Sequence, residues 1–252
     1  MKAALLVAGR ETRPLVADLP KTLVPVGGVP ILRRAITTLM RAGFDELVIA
    51  TGHREAQVRA AVAEWYPDLD VTLVENPEFA TTSNARSLSL LRPHLDREPF
   101  LLVDGDLIFD LACVETVLAR GYDTIAVRTV GTMGLEEVKV TADRTDRILA
   151  IGKHVPVRGA MGESVGMQLI SAAMSRRLFE VLEQRVDGLG LVHEYYEASL
   201  QALIDQGETF YGVDLGNLYA TEIDTLDDLR AAEARLADRP AFDVGAPARL
   251  AV

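Results

Sequence analysis

Two carboxylates flank a glycine where an apolar run ends: Phe100-Leu101-Leu102-Val103 leads into Asp104-Gly105-Asp106. Such a pair at a strand end suits a divalent cation that bridges phosphates. A plain β-turn with solvated aspartates has the same composition. A second acidic group follows far downstream in Thr221-Glu222-Ile223-Asp224. Asp224 reads either as a second metal ligand opposite Asp106 or as the N-cap of a helix starting near Leu226. At the chain start, Lys2 to Val7 runs into Ala8-Gly9, and a glycine after a first strand lets backbone N–H groups approach phosphate. Arg13 and Lys21 lie just beyond and have the charge to neutralise phosphate oxygens. A surface loop with two ordinary basic residues would read the same way.

These groups meet only if the chain brings them to one edge. Strand-like and helix-like segments alternate: a strand at Lys2 to Val7, a helix at Pro30 to Arg41, a strand at Glu46 to Ala50, and a helix at Glu55 to Trp65. A strand at Val71 to Val74, a helix at Asn84 to Leu91 and a strand at Pro99 to Val103 follow. This order predicts an α/β fold with a doubly wound, mostly parallel sheet. The second half predicts short β segments at Thr124 to Arg128, Glu137 to Thr141 and Arg147 to Ile151, a small antiparallel insertion. Helices at Ala172 to Gln184 and Val192 to Gln206, strands at Thr209 to Val213 and Leu218 to Glu222, and a helix at Leu226 to Leu236 complete the pattern. One domain over 1–238 is expected, with a nucleotide half to about 110, an acceptor half after it, and a loosely held tail over 239–252. Ligands in such sheets sit beyond the carboxyl ends of the strands. That rule gathers the loops at 8–21, 76–86 and 104–106 into one site.

Bulk composition narrows the partners. The chain has 252 residues, with 26 Lys and Arg against 37 Asp and Glu, for a formal net charge of -11. This acidity argues against sequence-independent nucleic-acid binding, which rests on neutralising phosphates, and against an anionic membrane surface. An acidic protein that handles phosphates needs a cation between itself and them. The single cysteine, Cys113, excludes a disulfide framework and reads as a small core residue. The short apolar start lacks a signal-peptide cleavage site, and no run approaches a membrane span, so a cytoplasmic protein is expected.

In combination the motifs are specific. Lys2-Ala3-Ala4-Leu5-Leu6-Val7-Ala8-Gly9, then Arg13, then Pro20-Lys21-Thr22-Leu23-Val24-Pro25-Val26 and Gly28-Val29-Pro30-Ile31-Leu32 resemble the N-terminal signature of nucleotidyltransferases that make nucleoside-diphosphate sugars and alcohols. Thr51-Gly52-His53, Asn76-Pro77, Asn84-Ala85-Arg86-Ser87-Leu88, Asp104-Gly105-Asp106, Glu163-Ser164-Val165-Gly166-Met167 and Tyr219-Ala220-Thr221-Glu222-Ile223-Asp224 continue it in order. The short length and the Asn84 segment look most like phosphocholine cytidylyltransferases, with phosphonate and inositol-phosphate cytidylyltransferases close in pattern. The resemblance implies a reaction: an acceptor phosphate or phosphonate oxygen attacks the α-phosphorus of a nucleoside triphosphate, CTP favoured, and pyrophosphate leaves. It implies that Lys21 and Arg13 contact phosphate and that Asp106 and Asp224 hold Mg²⁺. Ala8, Gly9, Thr51, Gly52, Asn84 and Asp104 would line the nucleotide, and Lys153 would reach the acceptor phosphate. A homodimer is compatible with the resemblance, but no dedicated interface motif is visible.

Two features depart from the pattern. Glu11 stands where the family has a second glycine, and the stretch from Arg13 to Lys21 is shorter by about two residues than the family's. A carboxylate beside triphosphate repels it unless it faces away or holds a cation. Glu11 therefore points to solvent, helps hold a second Mg²⁺, or marks a degenerate site. The first reading is favoured because Arg13, Lys21, Asp106 and Asp224 all persist. On the acceptor side, a quaternary ammonium would call for an aromatic cage, and Trp65 lies in an early helix. Tyr195, Tyr196 and Tyr219 offer part of a cage, with Glu194 or Glu197 adding charge; an amphipathic helix with two half-buried tyrosines is the alternative. Lys139 and Lys153 would meet the anionic end of a small phosphate or phosphonate, and carboxylates such as Glu163 its amine or hydroxyls. Competing readings are a metal-dependent nucleotide-sugar glycosyltransferase and a nucleotide-binding protein without turnover.

Overall fold

The chain begins with β1 (Lys2–Leu6), a short hairpin of β2 (Pro25–Val26) and β3 (Val29–Pro30), α1 (Ile31–Arg41), β4 (Glu46–Thr51), α2 (Glu55–Trp65) and β5 (Asp70–Glu75). Next come α3 (Asn84–Ser89), the single turn α4 (Arg92–Leu95), β6 (Phe100–Asp104), β7 (Leu107–Phe109) and α5 (Leu111–Arg120). The rest comprises β8 (Thr124–Arg128), β9 (Lys139–Ala142), β10 (Ile148–Gly152), β11 (Gly162–Ile170), α6 (Ala172–Leu182), α7 (Glu197–Asp205), β12 (Tyr211–Asp214), β13 (Ala220–Glu222) and α8 (Leu226–Ala237). This computed structural model describes residues 1–9, 16, 19–130 and 133–237. Arg13, Glu11 and the tail over 239–252 lie outside the described residues. No helix among the described residues is long and apolar enough to cross a membrane.

The architecture is mixed α/β, with parallel strands β6, β1, β4 and β5 side by side at its centre. Alternate residues of a strand point to opposite faces, and β1 shows the consequence. Ala3 and Leu5 enter a core closed by α1, α2 and α5, whereas Ala4 and Leu6 enter one closed by α3, α6 and α7. A strand buried on both faces must be apolar throughout, which is why this segment reads as an unbroken run. Leu5 is fully buried between Ile49 and Val103, and cutting it to alanine would cost about 2–5 kcal/mol. In α1, Leu32, Ala35, Ile36 and Leu39 form the i, i+3, i+4, i+7 stripe that covers this core.

β11 is the seam between the parallel and antiparallel parts. Its second half pairs antiparallel with β6, and its first half pairs with β9, which extends through β10. β8 runs antiparallel to β11 and so parallel to β6, and β12 pairs parallel with β8. The expected antiparallel segments are therefore continuous with the main sheet. Two small antiparallel ladders stand apart from it: β2 with β3, and β7 with β13. The second ladder sets Glu222 opposite Leu107, and a third apolar cluster under α8 holds Ile223 and Ile108 together.

Beyond the short elements β2, β3, α4 and β7, three further elements differ from the sequence-based expectation. Gly162, Glu163, Gly166 and Gln168 interrupt the apolar pattern of β11, the longest strand, so periodicity passes over it. The amphipathic helix α5, which buries Cys113, Val114 and Val117, is passed over too. The helix expected from Val192 begins only at Glu197. The preceding residues spend their hydrogen bonds on the start of α3: Val192 O accepts from Ser83 N at 2.8 Å, and Tyr196 N donates to Asn84 Oδ1 at 2.9 Å.

Candidate active site

The carboxyl ends of β1, β4 and β6 open into a cleft of about 1240 Å³. Its floor is built by close approach. Gly105 N donates to Leu6 O at 3.0 Å, and a Cβ on Gly105 would lie 2.4 Å from that same oxygen. Only glycine permits this contact, and it forces Asp104 and Asp106 to flank the end of β1. Asp224 reaches them through the β7–β13 ladder, where Ile223 N donates to Asp106 O at 3.2 Å. Lys21 arrives from the other side, on a 3₁₀ turn anchored by buried Thr22 and Leu23.

The centre of the cleft is a cation held by two acids. Lys21 Nζ lies 2.8 Å from Asp106 Oδ2 and also donates to Asp224 Oδ1. Burial alone would pull the Lys21 pKa down, but Asp106 and Asp224 outweigh it and hold the ammonium above the ordinary lysine range. The acids around it outnumber it. Burial, followed by Asp106 and Asp224, pushes the Glu222 carboxyl up to about 8. Burial, with Glu197 and Asp106 next, lifts fully enclosed Asp104 well above the usual carboxylate range. Such a cluster attracts further positive charge.

The donor set suits a divalent metal. Asp106 and Asp224 are close enough to share one ammonium, which stands where a shared cation would. Among the described residues no group of three or more His, Cys, Asp or Glu is arranged to hold a metal. At phosphate sites Mg²⁺ is held by one or two carboxylates, with substrate oxygens and water completing the shell.

The expected nucleotide residues divide between cleft and support. Ala8, Gly9, Asn84 and Asp104 line the cleft. Thr51 is buried and donates to Val74 O at 3.4 Å. Gly52 backs onto Ala8 O and Phe79, and His53 N donates to Ala8 O at 3.0 Å, so this segment clamps the Ala8 loop from behind. Phe79, which the sequence did not single out, takes the place in the lining expected of Thr51 and Gly52.

On the acceptor side, Lys153, Glu163 and Tyr195 line the cleft. Lys153 Nζ lies 3.5 Å from Glu136 and 5.1 Å from the centre of the Tyr195 ring. Burial raises the Glu163 pKa, and Arg128 pulls it back. Lys139 does not reach the cleft. It is buried and donates to Leu135 O and Glu137 O at 3.0 and 2.7 Å, tying down the preceding loop. Glu194 is engaged outside the cleft in a two-pronged pair with Arg185 at 2.8 and 2.7 Å. Its place is taken by Glu197, and Arg128 adds a cation that sequence reasoning missed. Its signal was present: Arg128 ends a strand parallel to β6 and must emerge at the same edge as Asp104.

Gly166 completes the geometry. With φ of +69° it bends β11, and a Cβ there would lie 2.5 Å from Asp104 Oδ2. Tyr196 braces the same carboxylate from below, its hydroxyl 3.2 Å from Asp104 Oδ2 and 3.1 Å from Gln168 Oε1.

The MobA-like NTP transferase domain matches residues 3–203. The chain belongs to that family. Membership agrees with a strand-end glycine loop, a lysine and two aspartates meeting at the sheet's carboxyl edge. The chain is similar to CMP-5'-(3-aminopropyl)phosphonate synthase of Streptomyces rubellomurinus, 30% identical over 250 residues, which covers 93% of this chain and 38% of that protein. It is similar also to the bifunctional IPC transferase and DIPP synthase of Rubrobacter xylanophilus, 27% identical over 92% of this chain and 51% of the relative. The chain thus spans about half or less of the length of these two curated relatives. Among solved structures, the inositol-1-phosphate CTP transferase from T. maritima superposes with a TM-score of 0.74 at 21% identity, covering 94% of this chain and 96% of that one. CTP:phosphocholine cytidylyltransferase from Streptococcus pneumoniae gives 0.73 at 20% identity, covering 93% and 98%. At such identities these two likenesses establish the NTP transferase fold.

Proposed function

We propose that this chain is a Mg²⁺-dependent cytidylyltransferase that transfers CMP from CTP to a small phosphate or phosphonate, releasing pyrophosphate. The observation that carries the reading is Lys21 held between Asp106 and Asp224 at the carboxyl edge of β6. Nucleotidyl transfer asks for positioning and neutralisation of charge rather than a covalent intermediate. Mg²⁺ held by Asp106 and Asp224 would supply charge neutralisation on the phosphate oxygens. With Mg²⁺ on the two carboxylates, the Lys21 ammonium beside them would stabilise charge on the triphosphate oxygens as the leaving group separates. Ala8 and Gly9 offer backbone to the phosphates, and Phe79 and Asn84 border the space for the nucleoside. Arg13, outside the described residues, is assigned to the phosphates with Lys21. Lys153 and Arg128 bring positive charge to the acceptor phosphate. Cys113, in the core with its thiol pushed up to about 12 by burial, takes no part. The preference for CTP is supported by the CMP product in the name of the Streptomyces relative, which aligns over most of this chain.

The test is a pyrophosphate-release assay with Mg²⁺, crossing the four ribonucleoside triphosphates with phosphocholine, alkylphosphonates, polyol phosphates and sugar 1-phosphates. Acceptor-dependent release with CTP, abolished by Asp106→Ala, is expected. Release of a nucleoside diphosphate instead, or no release with any pair, would overturn the reading.

A further inference from the structure

The two aspartates at the centre of the cleft stand on different sheets. Asp106 follows β6 of the main sheet, and Asp224 follows β13 of the small ladder with β7. That ladder is attached at Asp106, whose carbonyl accepts from Ile223 N at 3.2 Å. Antiparallel pairing alternates between residues whose backbone groups face the partner strand and residues whose groups face away. Ile223 faces β7, and so does Tyr219, whose carbonyl accepts from Asp110 N at 2.8 Å. Ala220, opposite Phe109, therefore turns its carbonyl away from β7. Ala220 is buried, and a buried carbonyl needs a donor. Arg128 Nη2 supplies it. Arg128 ends β8 of the main sheet, opposite Glu163 of β11, whose Oε2 lies 4.0 Å from Arg128 Nη1. The ladder is thus tied to the main sheet along its far edge as well as at Asp106.

A two-stranded ladder held along one edge can pivot, and a second tie on the other edge fixes its angle. The angle matters at Asp224. Its side chain is 58% exposed, so packing does little to place it, and its position follows the backbone that runs on from Ala220. Asp224 N donates to Asp228 Oδ2 at 3.2 Å, so the start of α8 moves with it.

We propose that Arg128 is a positioning residue: by holding Ala220 O it sets β13 so that Asp224 faces Asp106 at the separation a shared divalent cation requires. This inference rests on the reading of the cleft as a Mg²⁺-dependent nucleotidyltransferase site. It gives Arg128 a task separate from the charge it lends to the acceptor phosphate. The guanidinium is a fork of five donors, so one N–H can hold the carbonyl while others face the cleft.

The test uses Arg128→Met, which keeps the stem and removes every donor. In metal-free protein, amide hydrogen exchange over residues 220–224 should quicken about tenfold while β6 and β11 stay protected. At saturating CTP and acceptor, the free Mg²⁺ that gives half-maximal pyrophosphate release should rise about tenfold, as expected of a residue that orients a metal ligand. Excess Mg²⁺ should then restore kcat to within about threefold of wild type. Lys153→Ala, which removes charge from the acceptor wall, should leave the Mg²⁺ requirement unchanged. A raised acceptor KM with an unchanged Mg²⁺ requirement in Arg128→Met would make Arg128 an acceptor ligand only and overturn the inference. Unchanged exchange over β13, or faster exchange spread evenly over the main sheet, would overturn it too. Where Arg128→Met does not fold, Arg128→Lys, with one ammonium on a shorter stem, should show both changes in smaller degree; wild-type behaviour in both rejects the role. If the wild type releases no pyrophosphate with any pair, the transfer reading fails, and exchange together with calorimetry of Mn²⁺ binding decides the positioning role. Mn²⁺ binding that Arg128→Met weakens upholds it; equal binding by both proteins, or none by either, rejects it.

Discussion

Two lysines face the cleft, and they are held in opposite ways. Lys21 sits on a buried turn, its side chain 13% exposed, clamped between Asp106 and Asp224. Lys153 is 44% exposed and pairs with Glu136, itself 92% exposed, and with the face of Tyr195. The first belongs to groups placed by strand ends and backbone hydrogen bonds. The second belongs to the edge of an antiparallel extension, where side chains set the geometry. On the proposed reading the nucleotide side is therefore pre-organised, and the acceptor side is free to change its chemistry without disturbing the sheet. A rigid site for the invariant chemistry beside an adaptable one is what a fold hosting many acceptors needs.

The comparison breaks most visibly at Lys21. Lys21→Met keeps most of the volume and removes the charge. Pyrophosphate release should fall about 10²–10³-fold, the loss typical of a single donor aimed at developing charge. A rate within threefold of wild type would mean that Lys21 serves only as a counterion for Asp106 and Asp224. Circular dichroism would show whether the fold survives.

The next effect reads the buried carboxylate through stability. Glu197 has its pKa raised to about 7 from 4.5. Below about pH 4.5 both folded and unfolded chains carry the proton, and stability is full. As pH rises toward 7 the unfolded chain ionises first, so stability drains away, by at most about 3 kcal/mol from this residue. Thermal unfolding of Glu197→Gln between pH 5 and 8 should show a shallower decline than wild type. Glu222, raised to about 8, and Asp104 keep part of the decline in place. An unchanged slope would show that Glu197 is ionised throughout.

Gly166 joins the two sides, and altering it tests whether the nucleotide side is as rigid as claimed. Alanine there must adopt φ of +69°, at a cost of about 1–2 kcal/mol, with its Cβ against Asp104. Gly166→Ala should lower the melting temperature and also the rate, because Asp104 has nowhere to retreat. A lower melting temperature with an unchanged rate would separate Asp104 from catalysis.

How far the sequence shows this arrangement follows the same division. α2 over Glu55–Trp65 and β8 over Thr124–Arg128 have the bounds that periodicity predicts, because local apolar pattern and burial agree. Asp104-Gly105-Asp106 was legible because a glycine between two aspartates at a strand end has few local purposes. The acceptor wall was less so. Charge marked Lys139 and Glu194, but a lysine's long stem lets it turn inward to backbone carbonyls, and Arg185 satisfies Glu194. Glu197 differs from Glu194 only by the point at which α7 begins, and hydrogen bonds to Ser83 and Asn84, more than a hundred positions away in sequence, decide that point. Arg13 and Glu11 lie outside the described residues, so the origin of the carboxylate in the first loop rests on the sequence alone.

The smallest effect falls on the other lysine. Lys153→Ala removes an exposed pair that contributes little to folding, so stability should stay within about 0.5 kcal/mol of wild type. Its effect belongs to substrate binding. Without Lys153 an acceptor phosphate meets a wall that carries Glu136, Glu163 and Glu197, with Arg128 the remaining cation of that wall among the described residues. The acceptor KM should rise about tenfold while kcat changes less than threefold, since Lys21 and the two aspartates still arrange the reacting phosphates. A drop in kcat with KM unchanged would move Lys153 to the side of Lys21, acting on the transition state. The contrast between a fixed and an adaptable lysine would then be one of exposure and not of role.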